Sequence, residues 1–387
     1  EFIEAKLAER DKRHLHFGDS RYMLEPNVKE GKGGLRDAHT LWWLARAAYS
    51  LSRNSELVER ELVSREEYKA FEQAQTFLCQ VRAHLHYIAE RMENRLTFDY
   101  QHRIAVAMGF NHPSVNRAIE RFMRRYFAAV RTIGSSTRVF CALLEDSKKR
   151  KPRISLANLW YMPWNLSGFK IDGGRLNIRS EDTFAEEPVM MLELFRVAQL
   201  YDLQIHPQAL QLISHNLHQI DHDFLRNQRA NDIFLEILLS EKSAENILRL
   251  MSDVGVLGRF IRDFERIIGQ TQFNMYHVYT VDEHTLIAIG ILHSIENGKM
   301  KQELPLASDV VNRIRLRRVL YVAMFCHDLA KGRDGDHSIL GEKVGIKLAT
   351  RLGFSQEEIQ TVGWLVRHHL LFSNIATKRD LNDPKTI

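Results

Sequence analysis

Apolar residues recur at spacings of three and four along most of the chain, the pattern of helices that each bury one face. Residues 1–16 read as the end of a helix, followed by a Gly-rich, charged loop over 17–34, "FGDSRYMLEPNVKEGKGG". A helix is expected from Leu35 through "LRDAHTLWWLARAAYSL", a second from about Ser64 to Glu93, and a third from about Pro113 to Leu144. In the second, Tyr68, Phe71, Phe77, Leu78, Val81 and Leu85 fall mostly on one face. The charged run "EDSKKRKPR", 145–153, reads as a linker. The period then changes from helical to alternating in "GFKIDGGRLNIRS", centred on Asp172-Gly173-Gly174, which predicts a β-hairpin. Two strands are too few to stand alone, so the hairpin should lie against helices. Helices resume near Pro188 and continue to about residue 263, with breaks at Gly255 and Gly258, and the remainder is again helical.

The expected fold is therefore mainly α: a multi-domain helical protein with a small β-hairpin element and a C-terminal all-helical domain. The divisions expected are 1–148, 149–262 (a helical linker with the hairpin) and 263–387.

Composition narrows the function classes. A chain of 387 residues with 44% hydrophobic content can fill two or three ordinary cores. The net charge of +5 is a mild excess, suited to a phosphate-bearing substrate or an acidic partner, and no long basic run with interleaved aromatics points to DNA or RNA. Three scattered cysteines, Cys79, Cys141 and Cys326, make neither a disulfide framework nor a thiolate zinc site, so a reducing, cytoplasmic setting is expected. The longest apolar run, "VLYVAMFC", is far short of the roughly 20 residues of a membrane helix, so no membrane partner is expected. The first residues, "EFIEAKLAERDKRH", lack a Met, and "RDLNDPKTI" has no closing feature, so the chain reads as a piece of something longer.

The candidate chemistry lies late in the chain. Of 18 histidines, those at 14, 16, 84, 86 and 102 sit on or beside polar faces. The stretch 277–380 instead gathers His277, Asp282, His284, the pair His327–Asp328, Asp336, His337, the pair His368–His369 and Asp380. Imidazoles and carboxylates without thiolate suit a catalytic divalent metal such as Mn, Mg, Fe or Zn. Two metals about 3.5–4 Å apart that share an Asp are suited to phosphoester hydrolysis. The helix before His327 is apolar on most sides, so the pair at its end is buried, which is costly unless it is paired or metal-bound. Lys331 follows closely and can balance phosphate charge. Cys326 reads as a small core residue. On one continuous helix His369 would lie only about 20° from Asp380, and His368 about 120° from it.

The ordered series of His284, His-Asp 43 residues later, His337, His369 and Asp380 resembles the HD phosphohydrolase superfamily. "MYHVYTVDEHTL", 275–286, and "LEPNVKEGKGGLRDAHTLWWLAR", 24–46, together resemble the bifunctional PII uridylyltransferase/uridylyl-removing enzymes of bacterial nitrogen regulation. The hairpin block and "RHHLLFSNIATKRDLNDP" fit the same family. The resemblance implies an HD-type C-terminal domain that hydrolyses UMP from uridylylated PII protein. Its metal set is His284, His327, Asp328, His337, His369 and Asp380, with His327, Asp328 and Lys331 at the reaction centre. Mg or Mn is the first choice of metal, and Fe or Zn the second. Asp336 matches no family position and is left as loop, with His277, Asp282 and His368 in supporting places.

The family's transferase moves UMP from UTP to a PII tyrosine, and its ACT domains sense glutamine. The Gly-Ser loop and paired aspartates of the transferase would precede residue 1, and the ACT domains would follow residue 387. Within "EGKGGLRD" the resemblance implies a border of the nucleotide site, with Gly33 and Gly34 approaching phosphates, Arg36 supplying charge and Asp37 supporting carboxylates that bind metal. The plain alternative is a helix-start turn with local ion pairs. Two rival functions keep the same residues: an HD phosphohydrolase of a free nucleotide (an alarmone or cyclic dinucleotide), and a helical regulatory scaffold that binds no metal.

Overall fold

The computed structural model describes residues 2–17, 22–60, 62–147, 166–242, 244–271 and 278–378. Among them the chain is helical apart from one two-stranded antiparallel hairpin and a few isolated bridges. It divides into two compact units.

The first unit comprises Glu1–Glu181, Leu203–His215 and Gly269–Thr280. Its helices Phe2–His16, Leu35–Tyr49, Arg65–Ala89, Phe98–Ala107 and Val115–Ser147 enclose one core. The long helix Val115–Ser147 shows why: Ile119, Phe122, Met123, Tyr126, Phe127, Val130 and Ile133 recur on one face and are buried, while Arg117, Arg121, Arg124 and Arg125 stay exposed. Ser64 and Glu67 form a reciprocal cap that starts Arg65–Ala89. The hairpin pairs Phe169–Asp172 with Arg175–Ile178, so its two-residue loop is Gly173-Gly174. Both glycines have positive φ, 55° and 81°, as the tight hairpin turn requires. Leu176 extends the hairpin by a parallel bridge to Ile205, and the second strand touches helix Pro207–His215, so the hairpin does rest against helical structure.

The second unit comprises Asp182–Asp202, Asn216–Ile268 and Val281–Ile387. Phe195, Phe234, Phe260, Phe264 and Phe325 are fully buried, with Phe264 and Phe325 stacked at 5.7 Å. Helix Arg317–Cys326 is fixed at its start. Arg317 pairs with Glu296 and donates to the Leu239 carbonyl at 2.7 Å; Arg318 pairs with Glu358. Glu358 also closes the capping box of Ser355, which starts helix Gln356–Arg367.

Glycines set the spacing of the last three long helices. On helix His337–Arg351, a β-carbon at Gly345 would lie 3.2 Å from Val362 and 3.3 Å from Val366, and one at Gly341 would lie 3.0 Å from Val366. On the facing helix a β-carbon at Gly363 would lie 2.9 Å from Ile346. These backbones therefore approach closely, beneath the end of helix Arg317–Cys326.

The two compact units share the stretch 149–262 between them. The hairpin and helix Pro207–His215 join the first unit, and helices Met190–Tyr201, Gln228–Leu238 and Ala244–Val254 join the second. The expected helix from His369 to Asp380 is interrupted. Helix Gln356–Arg367 ends at His368, a turn follows, and a new helix, Leu371–Lys378, begins. The phase relation between His369 and Asp380 therefore does not apply, and Asp380 itself lies outside the described residues.

The glycine spacing predicts a steric test. Gly345→Val should cost about 2 kcal/mol or more in urea unfolding, because the added branches meet two valines already in contact. Lys347→Val, on the exposed face of the same helix, should change stability by less than about 0.5 kcal/mol.

Candidate metal centre

Helix Arg317–Cys326 ends by delivering His327 and Asp328 into the interior of the second unit. Asp328 is 1% exposed. Its Oδ2 lies 2.8 Å from Lys331 Nζ, 3.1 Å from His327 Nε2 and 3.7 Å from His284 Nε2. Its Oδ1 lies 3.7 Å from His369 Nε2. Burial would raise the Asp328 pKa, but positive charge beside it, from His327 when that ring is protonated and from Lys331, outweighs burial and holds the carboxyl well below its usual range.

Backbone carbonyls fix the tautomers of two imidazoles. His327 Nδ1 lies 2.6 Å from the Met324 carbonyl oxygen, and His369 Nδ1 lies 2.7 Å from that of Val366. A carbonyl oxygen only accepts, so each Nδ1 must carry the proton. In the neutral rings both Nε2 atoms then present lone pairs toward Asp328. His369 Nε2 and Asp328 Oδ1 are buried with no hydrogen-bond partner. Lone pairs converging on a carboxylate repel unless a positive charge lies between them, as a proton or a cation. Burial lowers the His369 pKa, which disfavours the proton. The donor set thus fits a cation, and the Nδ1–carbonyl bonds are the outer contacts that orient imidazole ligands.

Two ligand groups share Asp328. His284, His327 and Asp328 form one; Asp328, His337 and His369 form the other, with the ligand atoms of each within 4.8 Å of one another. His284 sits in the first turn of helix Val281–Glu296, which Glu283 ties to Arg249 at 2.7 Å. His284 Nε2 faces His327 Nε2 at 3.3 Å. His337 opens helix His337–Arg351, and its ring lies 5.6 Å from that of His369.

Asp336, read from the sequence as loop, is the N-cap of this last helix. Its carboxylate accepts from the Ser338 and Ile339 backbone N–H groups. It fixes where the helix starts and hence where His337 stands. The signal was present in the sequence as an Asp just before a periodic apolar run. Of the expected metal set the structure brings together His284, His327, Asp328, His337 and His369. His368 points elsewhere, its ring against Trp364 at 5.0 Å. Asp282 is buried on the His284 helix, and His277 lies outside the described residues. Cys326 is fully buried with its thiol pKa pushed up, as a core residue's should be.

In the Gly-Gly-Leu-Arg-Asp segment, in the first unit, the backbone N–H groups are engaged in a local turn. Gly31 N–H donates to Asn27 O, Gly33 N–H to Asp37 Oδ2 at 2.7 Å, and Gly34 N–H to Gly31 O. Leu35 and Arg36 N–H donate to Val28 and Lys29 carbonyls. These donors are consumed by the segment's own fold. Gly33 has φ 80°, and a β-carbon there would run into the Val130 carbonyl, so close packing explains the glycine. Asp37, 2% exposed, pairs with Arg13 and holds His14 Nε2 at 2.9 Å; Arg36 pairs with Glu30. Local ion pairs at a helix start are what these residues form.

Three sequence families match the chain in order. Residues 1–141 match GlnD PII-uridylyltransferase, 169–260 the uridylyltransferase GlnD third domain, and 281–386 the HD domain, a metal-dependent hydrolase domain. Over its whole length the chain is 52% identical to the bifunctional uridylyltransferase/uridylyl-removing enzyme of Rhodospirillum rubrum and 50% identical to that of Azospirillum brasilense. It is 49% identical to that of Novosphingobium aromaticivorans. The chain spans 41–42% of the length of these relatives. Among the described residues no helix is long and apolar enough to cross a membrane.

The shared carboxylate gives an asymmetric expectation for metal content. By elemental analysis of protein loaded with Mn, Asp328→Ala should lose metal from both groups, whereas His284→Ala and His337→Ala should each lose at most one equivalent. Metal affinity should weaken as the pH falls. The sign follows from the lowered His369 pKa: its imidazole stays neutral until the pH falls below the ordinary 6.5, after which protons compete for Nε2.

Proposed function

We propose that this chain, which belongs to the bifunctional uridylyltransferase/uridylyl-removing family, carries that family's hydrolytic activity in its second unit: metal-dependent removal of UMP from a uridylylated PII protein. The observation that carries the reading is the pair of ligand groups joined at the buried Asp328. The proposed ligands are His284, His327, Asp328, His337 and His369, with Asp380 the further carboxylate named by the family pattern. Mn or Mg is the proposed metal; the imidazole-rich set favours Mn of the two. When bound, a divalent cation supplies a water of lowered pKa and polarises the phosphoryl oxygens.

The chain's own residues do the rest. His327 and His369 are held as Nε2 bases by the Met324 and Val366 carbonyls, so no reorganisation is needed before they ligate. Asp328, ionised and buried, supplies the negative charge common to both groups. Lys331, only 9% exposed, stands 2.8 Å from Asp328 and places an ammonium where phosphoryl oxygens would gather negative charge. Helix packing at Gly341 and Gly345 keeps the His337 and His369 backbones close.

In the whole protein, the first unit would adjoin the site that transfers UMP from UTP to a PII tyrosine. Its part there is structural, as the spent N–H groups of the glycine segment indicate. Glutamine would act through ACT domains beyond this chain. Three free cysteines fit a cytoplasmic enzyme.

Release of UMP from uridylylated PII, followed with Mn or Mg present, tests this reading. His327→Ala and Asp328→Ala should each lower it by at least about a hundredfold, since outer-sphere partners alone are worth up to about that factor. Undiminished release by both variants would remove the metal centre from the reaction. Faster turnover of an alarmone or a cyclic dinucleotide than of UMP–PII would move the substrate to a free nucleotide.

A further inference from the structure

An open cleft of about 490 Å³ adjoins the metal centre and includes His337 in its wall. Ile339, Arg367, His368, Leu371 and Asn374 also line it. None of these five belongs to either ligand group.

We infer that this cleft is a nucleoside subsite, which takes the ribose and base of a nucleoside monophosphate whose phosphate lies at the metal centre. The inference rests on the hydrolytic reading above. Position argues for it first. His337 belongs both to the second ligand group and to the cleft wall, so a phosphate held by that group lies at the cleft's edge. A ribose joined to that phosphate has the cleft directly beside it. Volume argues second, because small-ligand sites begin at about 300 Å³ and this cleft exceeds that.

The lining decides which part of a substrate fits. Ile339 and Leu371 are 40% and 43% exposed, large apolar groups that a flat base would cover. His368 and the Asn374 side-chain amide offer both donors and acceptors, as the edge of a pyrimidine requires. The His368 ring is steadied by Trp364, its neighbour one helical turn earlier. The charges in the wall nearly cancel. Arg367 is already paired with Glu342 at 2.6 Å, and Asp336 brings a carboxylate to the same wall. A polyphosphate would meet too little positive charge here, whereas an uncharged nucleoside meets a matched surface. A tyrosine side chain, apolar around its ring, matches this mixed polar and apolar wall less well than a nucleoside does.

Calorimetric titration of the Mn-loaded chain with UMP, inorganic phosphate and a tyrosine-containing peptide tests the assignment. UMP should bind at least about tenfold more tightly than inorganic phosphate. Asn374→Ala and Leu371→Ala should each weaken UMP about fivefold, the worth of one hydrogen bond or a comparable apolar contact. Both variants should keep the wild-type phosphate affinity and metal content, which also shows that they are folded. Equal affinity for UMP and phosphate, equal losses of both in the variants, or a loss confined to the peptide would each overturn the subsite. Wild-type protein that takes up metal and releases UMP from PII, yet shows no preference for UMP over phosphate, overturns the subsite and leaves the hydrolytic reading standing. Wild-type protein that takes up no metal overturns both.

Discussion

A carboxylate with 1% of its surface exposed must be surrounded by positive charge, and the second unit is arranged around that requirement. Protonation of Asp328 is disfavoured, because the positive charge beside it, Lys331 above all in the neutral-imidazole state, holds its pKa down. The carboxylate therefore has to be met by groups from several elements at once. Lys331 comes from the turn that follows, His284 from helix Val281–Glu296, His337 from helix His337–Arg351, and His369 from the turn after Gln356–Arg367. Four segments converge on one oxygen pair, and their packing can be understood as what that convergence demands.

The convergence is held from outside the site. Arg317 with Glu296, and Arg318 with Glu358, lock the start of the helix that carries His327 and Asp328. Glu358 couples that lock to the cap of Gln356–Arg367, so the helix preceding His369 starts from the same carboxylate. Gly341, Gly345 and Gly363 remove the side chains that would keep two of the helices apart. The Asp336 cap sets the start of the His337 helix. None of these residues has metal-ligand chemistry of its own, except for the carboxylates, which are engaged elsewhere. Together they place imidazole nitrogens within ligand reach of one another.

Much of this was legible in the sequence because metal chemistry restricts residue types severely. A buried His-Asp pair after an apolar helix has few inexpensive explanations, and the spaced histidines supplied partners. The choice between His368 and His369 was reached by an argument that does not hold in the structure. The helix breaks at 368–370, and it is the turn, not helical phase, that sends His369 to Asp328 and His368 to Trp364. Which of two cores a short helix joins depends on long-range fit, and periodicity along the chain carries no such information. Asp336 is legible by the capping rule, as a carboxylate whose work is to start a helix.

The glycine segment carries a chemical signal for which local structure also accounts. A run such as "GKGG" before a helix is what a phosphate-binding turn needs, because glycine lets backbone N–H groups converge on an anion. The same run is what a tight turn packed on a neighbouring helix needs, and sequence cannot separate the two. The destination of each N–H separates them. At Gly33 it is the Asp37 carboxylate, already the anion of the turn, with Arg13 and His14 on its other sides. An external phosphate would have to displace a buried, ionised side chain that has three partners, and it would leave Arg13 and His14 facing the incoming charge without their own counter-ion. The turn is thus complete without a ligand, whereas at Asp328 the imidazole lone pairs and an unbonded carboxylate oxygen call for one.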